Sequence, residues 1–173
     1  RFYLQPRTNG MIRFFFYYLD NMSEQLHLKD QTSNPGPLGL MGFALTTILL
    51  NIHNVGFFPL DTMIMGMGIF FGGFAQFVAG TMEWKKGNMF GSVAFMSYGA
   101  FWLSLVFIWV GPVALGLNKP DSVAMGCYLF MWGLFTLVFF LQTLKGKTVG
   151  KILFLSLFVL FMLLALHNFT GSE

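Results

Sequence analysis

The sequence predicts an all-α membrane protein, a polytopic bundle of five transmembrane helices. Five stretches carry no charged residue, and each is long enough to cross a bilayer: 31–60, 62–82, 87–118, 122–144 and 152–172. A spanning helix needs about 20 mainly apolar residues. Only 10% of the 173 residues are charged, whereas soluble domains have about 25%. The apolar runs do not alternate with polar residues as the strands of a membrane barrel would, so we expect helices.

The amino-terminal part differs from the rest of the chain. We expect residues 1–33 to form a cytoplasmic segment and residues 34–173 to form the transmembrane domain. The chain starts at Arg1, and Met22 opens a short polar stretch of the kind that often begins a membrane protein. We therefore interpret residues 1–21 as a candidate extension outside the native protein.

Turn and capping residues place the five spans at about 38–57, 61–82, 89–111, 122–144 and 149–168. The prolines of the 34–37 turn suit the start of the first helix, because proline is tolerated only there. Asp61 is a candidate cap for the second helix, and Asp121 or Ser122 for the fourth. Gly111 and Pro112 are expected to end the third helix.

Positive residues sort to alternate sides of the predicted bundle. Nine of the ten lie before the first span or in the second and fourth links and their flanks, and only Lys119 lies on the other side. Lys and Arg favour the cytoplasmic side of a membrane. The pattern predicts a multi-pass protein of the plasma (inner) membrane with a cytoplasmic amino terminus.

Two features near the second span are interpreted as structural. Gly68 and Gly72 form a GxxxG pattern, which lets two helix backbones approach closely in lipid. Glu83 precedes Lys85 and Lys86, and we interpret it as a solvated partner of these lysines.

Polar residues inside the spans are few and uncharged. No Lys or Arg lies within a span, which argues against a voltage sensor or a strongly charged pump site. Phe43, Thr47, Leu50 and Asn54 share one face of the first helix. This face suits a narrow path for a small polar solute, or hydrogen bonds between helices. Tyr98 lies mid-span, and it either lines a pore or bonds a neighbouring carbonyl.

Other functional classes find little support in the sequence. The net charge of +3 does not indicate nucleic-acid binding. A single cysteine and three scattered histidines do not make a metal site, and no motif indicates a cofactor. No nucleophile with an adjacent base and no phosphate-binding loop is present, so we expect no enzyme.

Four short motifs, in order, resemble a known family. The stretch NPGPLGL at 34–40 is similar to the NPAPLGL-type signature of the acetate uptake transporter family, also called the succinate–acetate permease family. The stretches NIHNVG at 51–56, EWKKGN at 83–88 and SYGAFW at 97–102 resemble bacterial members. Within the signature, Gly36 stands where alanine is usual.

The resemblance implies six transmembrane helices around a pore in each subunit, and a hexameric homo-oligomer. The chain reaches five of these helices, and we interpret it as lacking the sixth. The family's pore is narrowed by a Phe on helix one, a Tyr on helix three and a Leu on helix five. By motif, the matching residues here are Phe43, Tyr98 and Leu157.

These observations lead to a hypothesis of carboxylate transport. The substrates implied are small monocarboxylates or dicarboxylates, such as acetate and succinate, which pass through an anion channel or with protons through a symporter. Asn34 and Pro35 would lie at the inner mouth, Thr47 along the path, and Asn51 and Asn54 at the outer mouth. Two alternatives stay open: a channel for a neutral solute such as urea or ammonia, and a non-transporting membrane scaffold or fragment.

Overall fold

A computed structural model describes residues 10–25, without the side chains of 20–25, and residues 33–171. The described residues form six helices and no strand. They are α1 (Gly10–Gln25), α2 (Gly36–Asn54), α3 (Thr62–Lys85), α4 (Met89–Leu115), α5 (Ser122–Thr143) and α6 (Thr148–Thr170). Helices α2 to α6 are each long and apolar enough to cross a membrane. The predicted fold class, a helical bundle with five spans, is confirmed.

The chain divides into two units, Arg1–Asn34 and Pro35–Glu173. The first contains α1, whose aromatic residues between positions 14 and 18 are exposed. The second contains the five apolar helices. Three of the nine positive residues expected on the cytoplasmic side lie outside the described residues: Arg1, Arg7 and Lys29. The domain assignments made from the sequence, including the candidate extension at 1–21, stay predictions.

Side-chain caps begin three of the five long apolar helices. Asp61 Oδ1 accepts hydrogen bonds from the amides of Met63 and Ile64, at 3.0 and 3.3 Å. Asp121 Oδ1 accepts from the amide of Ala124 at 2.7 Å, so Asp121 and not Ser122 caps α5. These contacts confirm the caps expected from the sequence. Asn88 caps α4 in the same way.

The third transmembrane helix is longer than the sequence predicts. It continues through Pro112 to Leu115 and ends at Gly116, whose φ of 66° is left-handed. The prediction that Gly111 and Pro112 end this helix was therefore wrong. Pro112 lies in the last turn of the helix, so it removes one backbone hydrogen bond near the end and leaves the helix interior intact.

Helix α3 contains a π-helical segment, Gly68–Ala75, between regular α-helical ends. Gly68 and Gly72 lie against α4 here, and a Cβ added to Gly72 would lie 2.6 Å from the Trp102 ring. The expected role of the GxxxG pattern in close helix packing is confirmed. The π-helical turn itself was not expected from the sequence.

The link between α3 and α4 buries a carboxylate. Glu83 is only 5% exposed, and its Oε2 accepts a hydrogen bond of 2.7 Å from Asn88 Nδ2. The expectation that Glu83 is solvated was therefore wrong, whereas its expected pairing with the lysines stays a prediction. The tight turn at 86–88 places Asn88 next to Glu83, and this amide replaces the water that a surface carboxylate would bind.

The five apolar helices form two closely packed groups, α2–α3–α4 and α5–α6. The backbones of the two groups lie farther apart than those within each group. Aromatic side chains fill the space between them. The Phe101 ring of α4, for example, lies 5.2 Å from the rings of both Trp132 of α5 and Phe161 of α6.

Candidate functional site

Phe43 of α2 and Tyr98 of α4 meet at the centre of the bundle, with ring centroids 5.5 Å apart. Tyr98 is 3% exposed, and its hydroxyl lies 2.9 Å from Thr136 Oγ1 of α5. Thr136 donates its single hydroxyl hydrogen to the Trp132 carbonyl at 2.8 Å, so Tyr98 is the donor of the shared bond. The buried phenol is thus satisfied by a side chain on the opposite helix group.

Apolar side chains complete a partition around this pair. The rings of Phe135, Phe139 and Phe154 lie within 6.4 Å of the Tyr98 ring. Leu157 of α6 is 6% exposed and belongs to the same buried cluster, against which Phe43 also packs. The structure therefore brings Phe43 and Tyr98 together and buries Leu157 in the same core. The assignment of all three to a constriction, which the family resemblance implies, stays a prediction.

A small cavity, called cavity A, lies on one side of the partition and has a volume of about 30 Å³. It lies towards the ends at which α2, α4 and α6 begin, near the links that carry Lys85, Lys86, Lys145 and Lys147. Gln76 supplies its polar side chain. Its lining residues are Leu40, Phe43, Gln76, Ala94, Phe95, Tyr98, Leu153 and Phe154.

A larger cavity, called cavity B, opens on the other side with a volume of about 300 Å³. It lies where α2 and α6 end, and its polar side chains are His53, Asn54, His167 and Asn168. His53 Nδ1 is hydrogen-bonded to the Phe58 carbonyl at 2.8 Å. The remaining lining residues are Leu50, Leu60, Phe101, Leu105, Trp109, Met125, Leu129 and Leu164.

The partition between the two cavities is thin. Tyr98 lines cavity A, and Phe101, three residues further along α4, lines cavity B. Three residues of α-helix span about 4.5 Å. A solute in one cavity is therefore separated from the other by little more than one layer of rings.

The other predicted pathway residues of α2 take different positions. Asn54 is exposed and lines cavity B. Thr47 and Asn51 are half-buried and are absent from the lining of both cavities. Asn51 Nδ2 donates instead to the Thr47 carbonyl of its own helix at 2.8 Å.

The start of α2 offers few amide donors for an anion. The carbonyl of buried Pro35 accepts hydrogen bonds from the amides of Leu38 and Gly39, at 3.0 and 3.3 Å. Pro37 has no N–H. Asn34, the last residue of the first unit, is exposed, and its expected place at the inner mouth stays a prediction.

Several residues of the site were missed from the sequence: Gln76, Phe101, Thr136, His167 and Asn168. Gln76 had a usable signal, because it is a large polar side chain in the middle of a charge-free span. Thr136 had none, since its role depends on a residue 38 positions away. No group of three or more potential metal ligands occurs among the residues that the structure describes.

A bundle of membrane-spanning helices with cavities on both sides of a thin apolar partition is typical of membrane channels and transporters. The chain belongs to the GPR1/FUN34/yaaH family, whose sequence profile matches residues 20–173. The family resemblance inferred from the four sequence motifs is thereby confirmed.

Relatives and a solved structure agree with this assignment. The chain is 57% identical to the succinate-acetate/proton symporter SatP of Escherichia coli K12, covering 81% of this chain and 74% of that protein. It is 52% identical to an uncharacterized protein of Methanothermobacter thermautotrophicus, covering 90% and 80%. The solved structure of the bacterial acetate channel SatP matches with a TM-score of 0.80 and 55% identity, over 82% of this chain and 78% of that chain.

Proposed function

We propose that this chain transports small carboxylates, such as acetate and succinate, across a membrane. The observation that carries the proposal is the thin apolar partition between cavities A and B, where the rings of Phe43 and Tyr98 meet. We assign Leu157 to the same partition from the family resemblance. The names of its relatives support the substrate class, since one is a succinate-acetate/proton symporter and the matching structure is an acetate channel.

The partition explains why a small solute is favoured. A bare carboxylate loses its hydration between aromatic rings, and that loss is costly without hydrogen-bond partners. A thickness of about one helical turn keeps this costly step short. The polar side chains of cavity B and Gln76 in cavity A can exchange hydrogen bonds with the solute on either side. Weak binding at separate stations also permits fast release.

We further propose the finer features of this activity. The lysine-rich ends of the helices face the cytoplasm of the inner membrane, in accord with the nine-to-one distribution of positive residues. The protein acts in transport and not in catalysis. It acts as a homo-oligomer, and the family resemblance implies that this oligomer is a hexamer. Protons accompany the carboxylate, because a neutral solute crosses an apolar partition at lower cost than an anion.

Uptake of labelled acetate into proteoliposomes tests the function directly. We expect saturable uptake that exceeds the passive permeation of protein-free vesicles, and that unlabelled succinate reduces. A pH gradient, acid outside, should raise the initial rate if protons accompany the solute. If the protein instead gave no acetate uptake above that of protein-free vesicles but saturable uptake of urea, it would be a channel for neutral solutes.

A further inference from the structure

Gln76 stands out among the polar side chains of the spans. It is 0% exposed, and neither its Nε2 nor its Oε1 has a hydrogen-bond partner within the described chain. Burying an unpaired amide is costly in a protein interior, and more so in a membrane, where water cannot replace the partner. Such a group in a native fold needs an explanation other than stability.

The backbone holds this amide against cavity A. The π-helical segment of α3 ends at Ala75, directly before Gln76. Gly42 of α2 lies opposite, and a Cβ added there would stand 3.2 Å from Gln76 Cγ. The close approach of α2 holds the stem of the side chain, and Gln76 is among the residues that line cavity A, with Phe43 and Tyr98. π-Helical turns are frequent at functional sites.

The chemistry of the amide selects a particular form of carboxyl group. A primary amide offers a donor and an acceptor side by side, and both lack a partner here. An ionised carboxylate can only accept, so it would leave Oε1 facing negative charge. A protonated carboxyl group donates through its hydroxyl and accepts through its carbonyl, and therefore satisfies both atoms at once.

The surroundings contain no charge that would alter this preference. The α2, α4 and α6 residues that line cavity A are apolar apart from Tyr98, whose phenol is the one titratable group among them. That phenol donates its hydrogen to Thr136. The cavity volume of about 30 Å³ exceeds the roughly 10–15 Å³ that one water needs, so cavity A has room for a small polar group.

We propose that Gln76 is a binding station for the protonated carboxyl group of the transported solute, on the cavity A side of the partition. The inference rests on the proposed function and adds a residue and a protonation state to it. The amide would form two hydrogen bonds with the neutral acid when the acid enters or leaves the partition.

Substitution by methionine tests the station, because methionine has a similar shape and no hydrogen-bonding amide. We expect Gln76→Met to lower the initial rate of acetate uptake in proteoliposomes by about five- to tenfold, the effect of losing one typical hydrogen bond or slightly more. Gln142→Met, at an exposed position near the end of α5, is the matched control and should change the rate less than about twofold.

Thermal unfolding in detergent separates this role from a structural one. Gln76→Met should keep or raise the unfolding temperature, because it removes an unpaired buried amide. A lowered unfolding temperature together with lost uptake would show that the amide supports the fold, and would overturn the proposal.

Acetamide is a neutral probe that carries a donor and an acceptor in the same arrangement as acetic acid. It should inhibit acetate uptake by the wild type and have a weaker effect on Gln76→Met. Equal inhibition of both proteins, or none of the wild type, would overturn the inference. Equal acetate uptake by wild type and Gln76→Met would also overturn it and leave the transport function standing, whereas a wild type without uptake would overturn both.

Discussion

The hydrogen bond between Tyr98 and Thr136 joins the two helix groups across the partition, and its loss should be measurable as stability. Thr136→Val removes the acceptor while nearly preserving the shape of a side chain that is 0% exposed. Tyr98 then becomes a buried donor without a partner, which costs about 1–3 kcal/mol. Tyr98→Phe removes the donor instead, and should cost about 1 kcal/mol, since Thr136 keeps its bond to the Trp132 carbonyl.

The double variant makes this reasoning quantitative. When both hydroxyls are absent no donor is left unpaired, so Tyr98→Phe/Thr136→Val should be more stable than the sum of the two single effects predicts. We expect a coupling energy of about 0.5–2 kcal/mol, within the range for residues in contact and for hydrogen bonds between membrane helices. Chemical unfolding of the four proteins in detergent measures it. Strictly additive effects would refute a hydrogen bond between Tyr98 and Thr136.

Three further predictions concern the constriction, the α3–α4 link and helix packing. Leu157→Ala should widen the partition and raise the lactate-to-acetate uptake ratio in proteoliposomes, and an unchanged ratio would count against Leu157 as part of the barrier. Asn88→Ala removes both a helix cap and the donor to a buried carboxylate, so it should lower the free energy of unfolding by about 1–3 kcal/mol; a change below about 0.5 kcal/mol would contradict this. Gly72→Ala should lower the unfolding temperature because its Cβ would lie 2.6 Å from a tryptophan ring, whereas Gly66→Ala, with no such neighbour within 4 Å, is the control and should leave it unchanged.

The helices and their caps could be predicted because their causes are local. A charge-free run of about 20 residues has few stable conformations in lipid other than a helix. Asp61 and Asp121 cap helices through contacts two or three residues away. Signals of this kind are complete within a short window of sequence.

The missed features depend on contacts between distant residues. The π-helical turn accompanies close packing of glycines against Trp102, which lies on another helix. Pro112 was expected to end its helix because proline disfavours helix locally. The helix nevertheless continues for one more turn, to Leu115. Glu83 is buried because the link returns Asn88 to its side.

In the candidate site, too, residues with a local signal were predicted and residues defined by contacts with another helix were missed. Phe43 and Tyr98 could be singled out from the sequence as residues of mixed polar and apolar faces, and Leu157 from family resemblance alone. Thr136, which fixes the orientation of the Tyr98 hydroxyl, and Gln76, which faces cavity A, were missed. Their importance lies in which other helix they meet, and the periodicity of a single helix does not contain that information.

The two sides of the barrier differ in how they are held. Tyr98 is tethered to the opposite helix pair by a hydrogen bond, whereas Phe43 is half-buried and has only van der Waals and ring contacts available to it. Rotation of the Phe43 side chain breaks no side-chain hydrogen bond. A change of the Phe43 rotamer therefore costs less in hydrogen bonding than a change of the Tyr98 rotamer, which has to break the bond to Thr136.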